Sequence, residues 1–353
     1  MTKTIMTIIL FIIIFGIVVI SHEFGHFLIG KKNGIRVVEF AIGMGPDIFS
    51  FQRGETKYSL KLLPIGGACM FDGEDGVAAE NGEKDEHTFL AANVWARIAT
   101  IFAGPFFNFL TAFIFALIVV AFTGARRTDI QMIVEGSAAQ EAGIMPGDEI
   151  LRINNERVYL YQEIQLATEL TKGEPITLQI KRGEQILDVT LSPRYDERDG
   201  MYYIGLVGGE SIECKPAQVF QYSFYEIRFW VKVTYKSLLM LVQGQVTKDD
   251  VSGPIGIAQM VGDNYEIAKT YGVSNVIFTM MDIIILLSIN LGILNLLPIP
   301  ALDGGRLVFL ILEVFRGKPV PPEKEGMVHF AGLVVLMVLM VFVMYNDIMK
   351  LIH

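Results

Sequence analysis

The chain is poor in charge, and no small-residue cleavage site follows its N-terminal apolar run. Charged residues make up 19% of the 353 residues and apolar residues 52%, with a mean hydropathy of +0.45, which excludes an ordinary soluble protein. Because residues 5–20 lead into polar side chains without a cleavage site, we expect a retained helix instead of a signal peptide. The acidic stretch 72–86 lacks the spacing of a calcium-binding loop and is expected to be a solvated loop.

Four stretches are apolar enough to cross about 30 Å of hydrocarbon as helices. They comprise residues 5–30, 98–123, 275–302 and 328–345. Lysine and arginine are concentrated after the first stretch and between the third and fourth, and short basic loops stay in the cytoplasm. We therefore expect both termini and the long segment between the second and third stretches to lie outside. Cys69 and Cys214 then fall on opposite sides of the membrane, so no disulfide framework is expected.

The first apolar stretch ends in the sequence His22-Glu23-Phe24-Gly25-His26. Two imidazoles four residues apart on a helix point in similar directions, so both can bind one metal ion. The carboxylate of Glu23 stands beside them, where it can take a proton from zinc-activated water without binding the metal. The pattern is typical of zinc proteases. Its position inside an apolar stretch indicates that the scissile bond also lies in the membrane.

Catalytic zinc usually takes a third protein ligand. The candidates are His87, His329, His353, Asp282 and Asp303. Depth in the membrane favours Asp303, because the third helix runs inward and places Asp303 at the same cytoplasmic end as His22. Asp282 would lie about 30 Å away along the helix axis. We expect Asp282 at the outer interface.

The run that leads into Asp303 is broken by Pro298 and Pro300, which lack backbone donors. A broken helix at membrane depth is tolerated where it is buried in protein or lines a water-filled cavity. Asn290 and Asn295 precede this break. Their amides either hydrogen-bond between helices or hold a substrate backbone beside the zinc, and the sequence leaves both interpretations open.

Together these motifs resemble the bacterial site-2 protease family, the intramembrane zinc metalloproteases of the RseP/RasP type. The similarity extends to residues 64–67, 103–105 with Asn108, and 252–256, and so covers nearly the whole chain in order. The resemblance implies zinc ligation by His22, His26 and Asp303, general-base catalysis by Glu23, and substrate contacts from Asn290, Asn295, Gly66 and Gly67. It also implies that residues 64–67 form a membrane-dipping hairpin with an edge strand for the unwound substrate. The residues themselves indicate only an apolar, glycine-rich hairpin.

The segment from residue 127 to about 208 alternates apolar and polar residues with the period of β-strands. Residues 161–170 are expected to form a short amphipathic helix and residues 182–184 a hairpin turn. Residues 136–150 resemble the PDZ family in its bacterial permuted form. A PDZ groove binds peptides by adding a strand; a steric plug without a peptide ligand is the alternative, and the sequence leaves both open. Residues 216–243 are aromatic and basic, which suits helices at the membrane interface and not a fifth span.

The expected fold class is a polytopic α-helical membrane protein with four transmembrane helices, a membrane-associated β-hairpin and one inserted β-rich PDZ domain. The expected domains are an N-terminal membrane region at 1–126, an extracytoplasmic PDZ domain at 127–209, interfacial amphipathic helices at 210–273 and a C-terminal membrane region at 274–353. By resemblance, the protein belongs in the bacterial cytoplasmic membrane.

The expected function is that of an intramembrane zinc endopeptidase that cuts the membrane segments of single-span proteins. The resemblance implies anti-sigma factors already shortened by another protease, and remnant signal peptides, as substrates. The lipid bilayer and a PDZ peptide ligand are the other expected partners; no nucleic acid is expected. Two alternatives stay open: an aspartyl protease that uses Asp282 and Asp303, disfavoured by their separation in depth, and a non-catalytic adaptor or metal carrier.

Overall fold

The computed structural model describes residues 2–74, 86–197, 200–209, 211–247 and 251–352. Most of the acidic stretch 72–86, and His353, lie outside the described residues. The chain divides into two compact units. One comprises residues 1–115 and 230–353, and the other comprises residues 116–229.

Within the described residues, four helices are long and apolar enough to cross a membrane. They are α1 (Thr2–Lys32), α2 (Val94–Thr123), α7 (Val273–Leu296) and α9 (Pro322–Ile352). The third ends at Leu296 and not at residue 302 as expected, because Pro298 and Pro300 cannot donate the hydrogen bonds that would continue it. A separate helix, α8 (Asp303–Arg316), follows the break. Asp303 therefore begins a helix of its own, which corrects its expected place at the end of the third span.

Two longer helices follow the inserted β-rich unit within the described residues, where the sequence predicts interfacial helices. These are α5 (Pro216–Val242) and α6 (Pro254–Thr270), and neither is among the four candidate spans. Helix α6 packs with α1 and α7 around Ile14, Val18 and Val261. The N-terminus of α6 is capped from α9, where the buried carboxylate of Asp347 accepts hydrogen bonds from backbone amides at the start of the helix.

Two long, irregular strands, β1 (Val37–Arg53) and β2 (Thr56–Phe71), form a hairpin between α1 and α2. The tight turn lies at residues 54–55, so the expected hairpin exists but residues 64–67 belong to its second strand. Repeated register shifts fold the pair over itself, and residues 39–42 face both 67–70 and 57–60. Residues 67–70 therefore form an edge of this small sheet.

The inserted unit is rich in β-structure and has its own apolar core. Its elements are β3 (Ala125–Arg126), β4 (Ile130–Ile133), α3 (Ala138–Glu141), β5 (Glu149–Ile153), β6 (Glu156–Arg157), α4 (Tyr161–Leu170), β7 (Ile176–Arg182), β8 (Gln185–Leu191), β9 (Arg194–Asp196), β10 (Met201–Tyr203), β11 (Leu206–Gly208) and β12 (Ser211–Ile212). The largest sheet has the order β6-β5-β7-β8, and β3 pairs with β12, β4 with β11 and β9 with β10. The predicted fold class, a polytopic helical membrane protein with a β-hairpin and one inserted β-rich domain, is confirmed.

Candidate metal centre

The two imidazoles of the first helix converge as their spacing predicts. Nε2 of His22 lies 3.2 Å from Nε2 of His26, and both rings are buried. The helix that carries them is mostly apolar, and the two rings form a short polar segment within it together with Ser21 and Glu23.

Asp303 brings a carboxylate to the same point. Its Oδ2 lies 3.1 Å from Nε2 of His22 and 3.3 Å from Nε2 of His26. Two imidazole nitrogens and one carboxylate oxygen form a donor set of catalytic zinc sites. Bonds of about 2.0–2.1 Å to a tetrahedral ion place neighbouring donor atoms about 3.3 Å apart. The three donor atoms thus fit a zinc ion, and the buried Oδ2 of Asp303 has no hydrogen-bond partner among the described residues.

The other ring nitrogens of the two histidines are held by α2. Nδ1 of His26 donates to the carbonyl of Thr100 at 2.9 Å, which leaves Nε2 unprotonated and free to bind a metal. Nδ1 of His22 lies 3.2 Å from the side-chain amide of Asn108, which is fully buried. The family resemblance extends to Asn108 but implies no role for it. A polar residue inside an apolar span is the signal that could have identified it.

Close packing of α1 against α2 brings these partners into reach. A Cβ atom added to Gly104 would lie 2.2 Å from Nε2 of His26, and one added to Gly25 would lie 2.3 Å from the carbonyl oxygen of Ala103. Any larger side chain at position 104 would occupy the space between the imidazoles and α2. The glycine therefore defines one wall of the centre.

Glu23 lies beside the three donor atoms and is backed by β2. A Cβ atom at Gly67 would lie 2.8 Å from Cγ of Glu23, so the strand passes directly against this side chain. Both residues line a cavity of about 530 Å³, and its lining also includes Asp303 and strand residues 68–71. Burial raises the pKa of the neighbouring Cys69 thiol.

The two asparagines occupy different places. Nδ2 of Asn295 lies 3.3 Å from Nε2 of His22, inside the cavity. Asn290 instead accepts a hydrogen bond of 2.5 Å from Thr234 on α5, and it is not among the described residues that line the cavity. Gly66 has a positive φ of 78° and packs against Met44, whereas the adjacent Gly67 reaches the cavity wall.

The remaining third-ligand candidates lie elsewhere. Nδ1 of His87 contacts the carbonyl of Gly34, and Nδ1 of His329 accepts a hydrogen bond from the backbone of Ala301. Within the described part of the chain, the group of side chains that could hold a metal ion consists of His22, His26 and Asp303. Asp282 is not part of it, so the carboxylate pair that an aspartyl protease needs is not assembled there.

Comparison with known proteins gives consistent matches over the whole chain. A sequence profile described as peptidase family M50 matches residues 10–339. The chain is 34% identical to zinc metalloprotease RasP of Geobacillus kaustophilus over 99% of both chains. It is 32% identical to the regulator of sigma-W protease RasP of Bacillus subtilis, over 98% of this chain and 99% of the relative. A crystal structure of the PDZ domain of an SdrC-like protein from Listeria innocua aligns with 25% of this chain and 99% of that domain, at 17% identity and a TM-score of 0.23.

Proposed function

The chain belongs to peptidase family M50 and is a multi-pass bacterial membrane zinc metalloprotease, and on that premise we propose that it cuts the membrane segments of single-span proteins at the centre formed by His22, His26 and Asp303. The observation that carries the proposal is the spacing of three donor atoms at tetrahedral zinc distances, two of them on the candidate membrane span α1 and the third at the start of α8.

In this proposal each side chain has a separate task. His22, His26 and Asp303 hold the zinc ion, which when bound supplies a Lewis acid that polarises the peptide carbonyl and acidifies water. Glu23 takes a proton from the attacking water and returns it to the leaving amine. Nδ2 of Asn295 can donate a hydrogen bond to the substrate carbonyl beside the metal.

The substrate has to be extended before it can react. An α-helix is about 10–12 Å across with its side chains, and its carbonyls are already hydrogen-bonded within the helix. Residues 67–70 pair with β1 along one edge, while the residues of this segment also line the cavity. An unwound segment can add to that strand as a further strand, which would hold the scissile bond over the centre.

For the substrate class we propose single-span proteins that another protease has already shortened, such as anti-sigma factors, together with remnant signal peptides. The family resemblance supports this choice, and the Bacillus relative is named as a regulator of sigma-W. The basic loops that flank the membrane segments favour an extracytoplasmic inserted domain.

We propose that the inserted domain excludes bulky substrates instead of binding peptide ends. A cavity of about 550 Å³ lies between α4 and residues 201–206. The domain's own side chains already use the backbone groups there: Tyr161 donates to the carbonyl of Leu206 at 2.7 Å, and Glu169 accepts from the amide of Tyr202 at 2.8 Å. A peptide strand that paired with the backbone of Tyr202 or Leu206 would compete with these contacts.

The proposal is tested by trapping uncut substrates. In cells that carry Glu23→Gln, truncated single-span proteins should accumulate, and mass spectrometry of the wild-type products should place each cut inside a membrane segment. Asp282→Asn is the matched control, since it removes a carboxylate from a candidate membrane span but not from the metal centre. Cuts confined to loops outside the membrane, or equal accumulation in the two variants, would contradict the proposed function.

A further inference from the structure

Ala301, two residues before Asp303, has a backbone conformation that alanine seldom adopts. Its φ is +74°, in the left-handed region where the Cβ atom crowds the backbone. The other described non-glycine residues with positive φ are Asn154, Asn155 and Lys172, all in the inserted unit. Residues in this region persist when surrounding contacts hold them, and they cluster at functional sites.

Helix α9 supplies the contacts that hold Ala301. The backbone amide of Ala301 donates to Nδ1 of His329 at 2.9 Å. One turn further along the helix, Gly332 lets the chain approach so closely that an added Cβ atom would lie 2.6 Å from the carbonyl oxygen of Pro300. The imidazole of His329 and the close backbone approach at Gly332, on successive turns of α9, thus hold the residues that precede Asp303 in place.

This constraint on Ala301 extends to Asp303 because the backbone around residues 297–305 is closely packed and has little room to move. A Cβ atom on Gly304 would lie 2.1 Å from the carbonyl oxygen of Leu297, and one on Gly305 would lie 2.4 Å from that of Ile299. The first turn of α8 is therefore packed against the loop that leads into it. A change in the conformation of Ala301 must rotate or displace the carboxylate of Asp303.

We propose that His329 is a positioning residue for the metal centre: by accepting the Ala301 amide it fixes the left-handed turn that aims Asp303 at His22 and His26. The inference rests on the proposed role of Asp303 as a zinc ligand. It assigns the ring of His329 the tautomer with the proton on Nε2, because Nδ1 has to accept. Nε2 is buried and has no hydrogen-bond partner among the described residues, although Oε1 of Glu325 lies 3.9 Å away. The hydrogen bond that the ring makes to the described residues is therefore the one on its Nδ1 side.

The proposal predicts which substitutions are tolerated at position 329. Asparagine places its side-chain oxygen close to where histidine has Nδ1, so His329→Asn keeps the acceptor. His329→Leu keeps a similar volume without an acceptor. Glycine adopts positive φ without crowding, so Ala301→Gly should reduce the need for the hydrogen bond.

The test measures zinc remaining on the purified full-length protein during dialysis against a chelator, together with kcat and KM on a shortened substrate. His329→Leu should weaken zinc retention about tenfold and lower kcat with little change in KM, in line with the usual effect of residues that orient metal ligands. His329→Asn should restore most of both quantities, and Ala301→Gly should partly rescue His329→Leu. Phe330→Ala, which changes an exposed neighbour on α9, is the control and should have no effect.

Two further variants make the outcome decisive. If His329→Leu cannot be purified, Ala301→Val increases the crowding at the same turn without touching the imidazole, and it should lower zinc retention in the same direction. If Asp303→Ala loses zinc but His329→Leu and Ala301→Val retain it, the positioning role is wrong while the proposed metal site stands. If Asp303→Ala keeps its zinc, the proposed metal site itself is wrong.

Discussion

The buried side chain of Asn108 lies 3.2 Å from Nδ1 of His22, on the side of the ring opposite to Asp303. As placed, the amide nitrogen faces the ring, and the buried Oδ1 has no partner among the described residues. Exchanging the two amide atoms, which a half-turn of the group achieves, lets Nδ1–H donate to Oδ1 and leaves Nε2 to bind a metal. Asn108 and the carbonyl of Thr100 then orient the two histidines from the same helix.

Asn108→Ala should therefore weaken zinc binding, by about 10-fold to 100-fold, because it frees the ring of His22 to rotate. Asn108→Asp should retain more affinity than Asn108→Ala, since a carboxylate also accepts from Nδ1. Competition with a calibrated zinc chelator measures both. Asn264→Ala removes an asparagine amide that donates to the carbonyl of Met260 within α6, and it should leave the affinity unchanged. Equal losses in the Asn108 and Asn264 variants would show a general effect on folding.

The ligand and base assignments make separate predictions for zinc content and turnover. His22→Ala, His26→Ala and Asp303→Ala should each lower the zinc content of the purified protein, because each removes a donor atom. Glu23→Gln should keep its zinc and lose at least about a hundredfold in turnover, because it removes the proton acceptor and spares the ligands. Elemental analysis combined with a cleavage assay checks both. Full zinc content and activity in Asp303→Asn, with loss in Asp282→Asn, would contradict the choice of third ligand.

The elements that follow local rules could be read from the sequence. The helix spacing of His22 and His26 determines that their rings converge, and α4 spans residues 161–170 as its amphipathic pattern predicts. The turn between β7 and β8 also falls where Gly183 predicts it. In each case the deciding interactions lie within a few residues of one another.

Features that depend on long-range contacts could not be read in the same way. The contact between Asn108 and His22 joins residues 86 positions apart, and that between Ala301 and His329 joins residues 28 apart. The folded-over register of β1 and β2 depends on β-bulges, which the pattern of apolar and polar residues does not predict. The spacing of Asn290 and Asn295, about 140° around a helix, already indicates that they need not share a face. Their partners, Thr234 for Asn290 and His22 for Asn295, depend on the packing of other helices.

The expected topology predicts opposite labelling of two hairpin turns. With Cys69 and Cys214 replaced, a cysteine at Glu184, in the β7–β8 turn, should react with a membrane-impermeant maleimide added to intact cells. A cysteine at Arg53, beside the β1–β2 turn, should react only after the membrane is opened, because the basic loop that carries it is expected to stay inside. Both native side chains are exposed, so burial does not explain a difference. The reverse pattern would place the inserted domain in the cytoplasm and remove its proposed role.

The inserted domain can be deleted without removing any residue of the proposed metal centre. It is bounded by the short pair of β3 and β12, in which Arg126 faces Ser211 and Ala125 faces Ile212. Replacing residues 127–210 with a short Gly-Ser linker keeps this pair and removes the strands and helices between its ends. The proposed zinc ligands lie outside this interval, so the variant should keep its zinc.

If the domain excludes bulky substrates, this deletion should allow cleavage of an unshortened single-span protein that the full-length enzyme rejects. The rate on an already shortened substrate should stay largely unchanged, because the residues that perform the chemistry are intact. Parallel assays with the two substrates, on protein with confirmed zinc content, distinguish exclusion from a model in which the domain recruits substrate. If the domain recruits substrate, both substrates should be cut poorly after the deletion. Tyr161→Phe, which removes the hydroxyl bonded to Leu206, serves as the matched point variant. It should leave the long substrate uncut, since exclusion depends on the bulk of the domain and not on the state of its groove. A zinc-loaded deletion variant that still rejects the long substrate would show that the domain is not the filter.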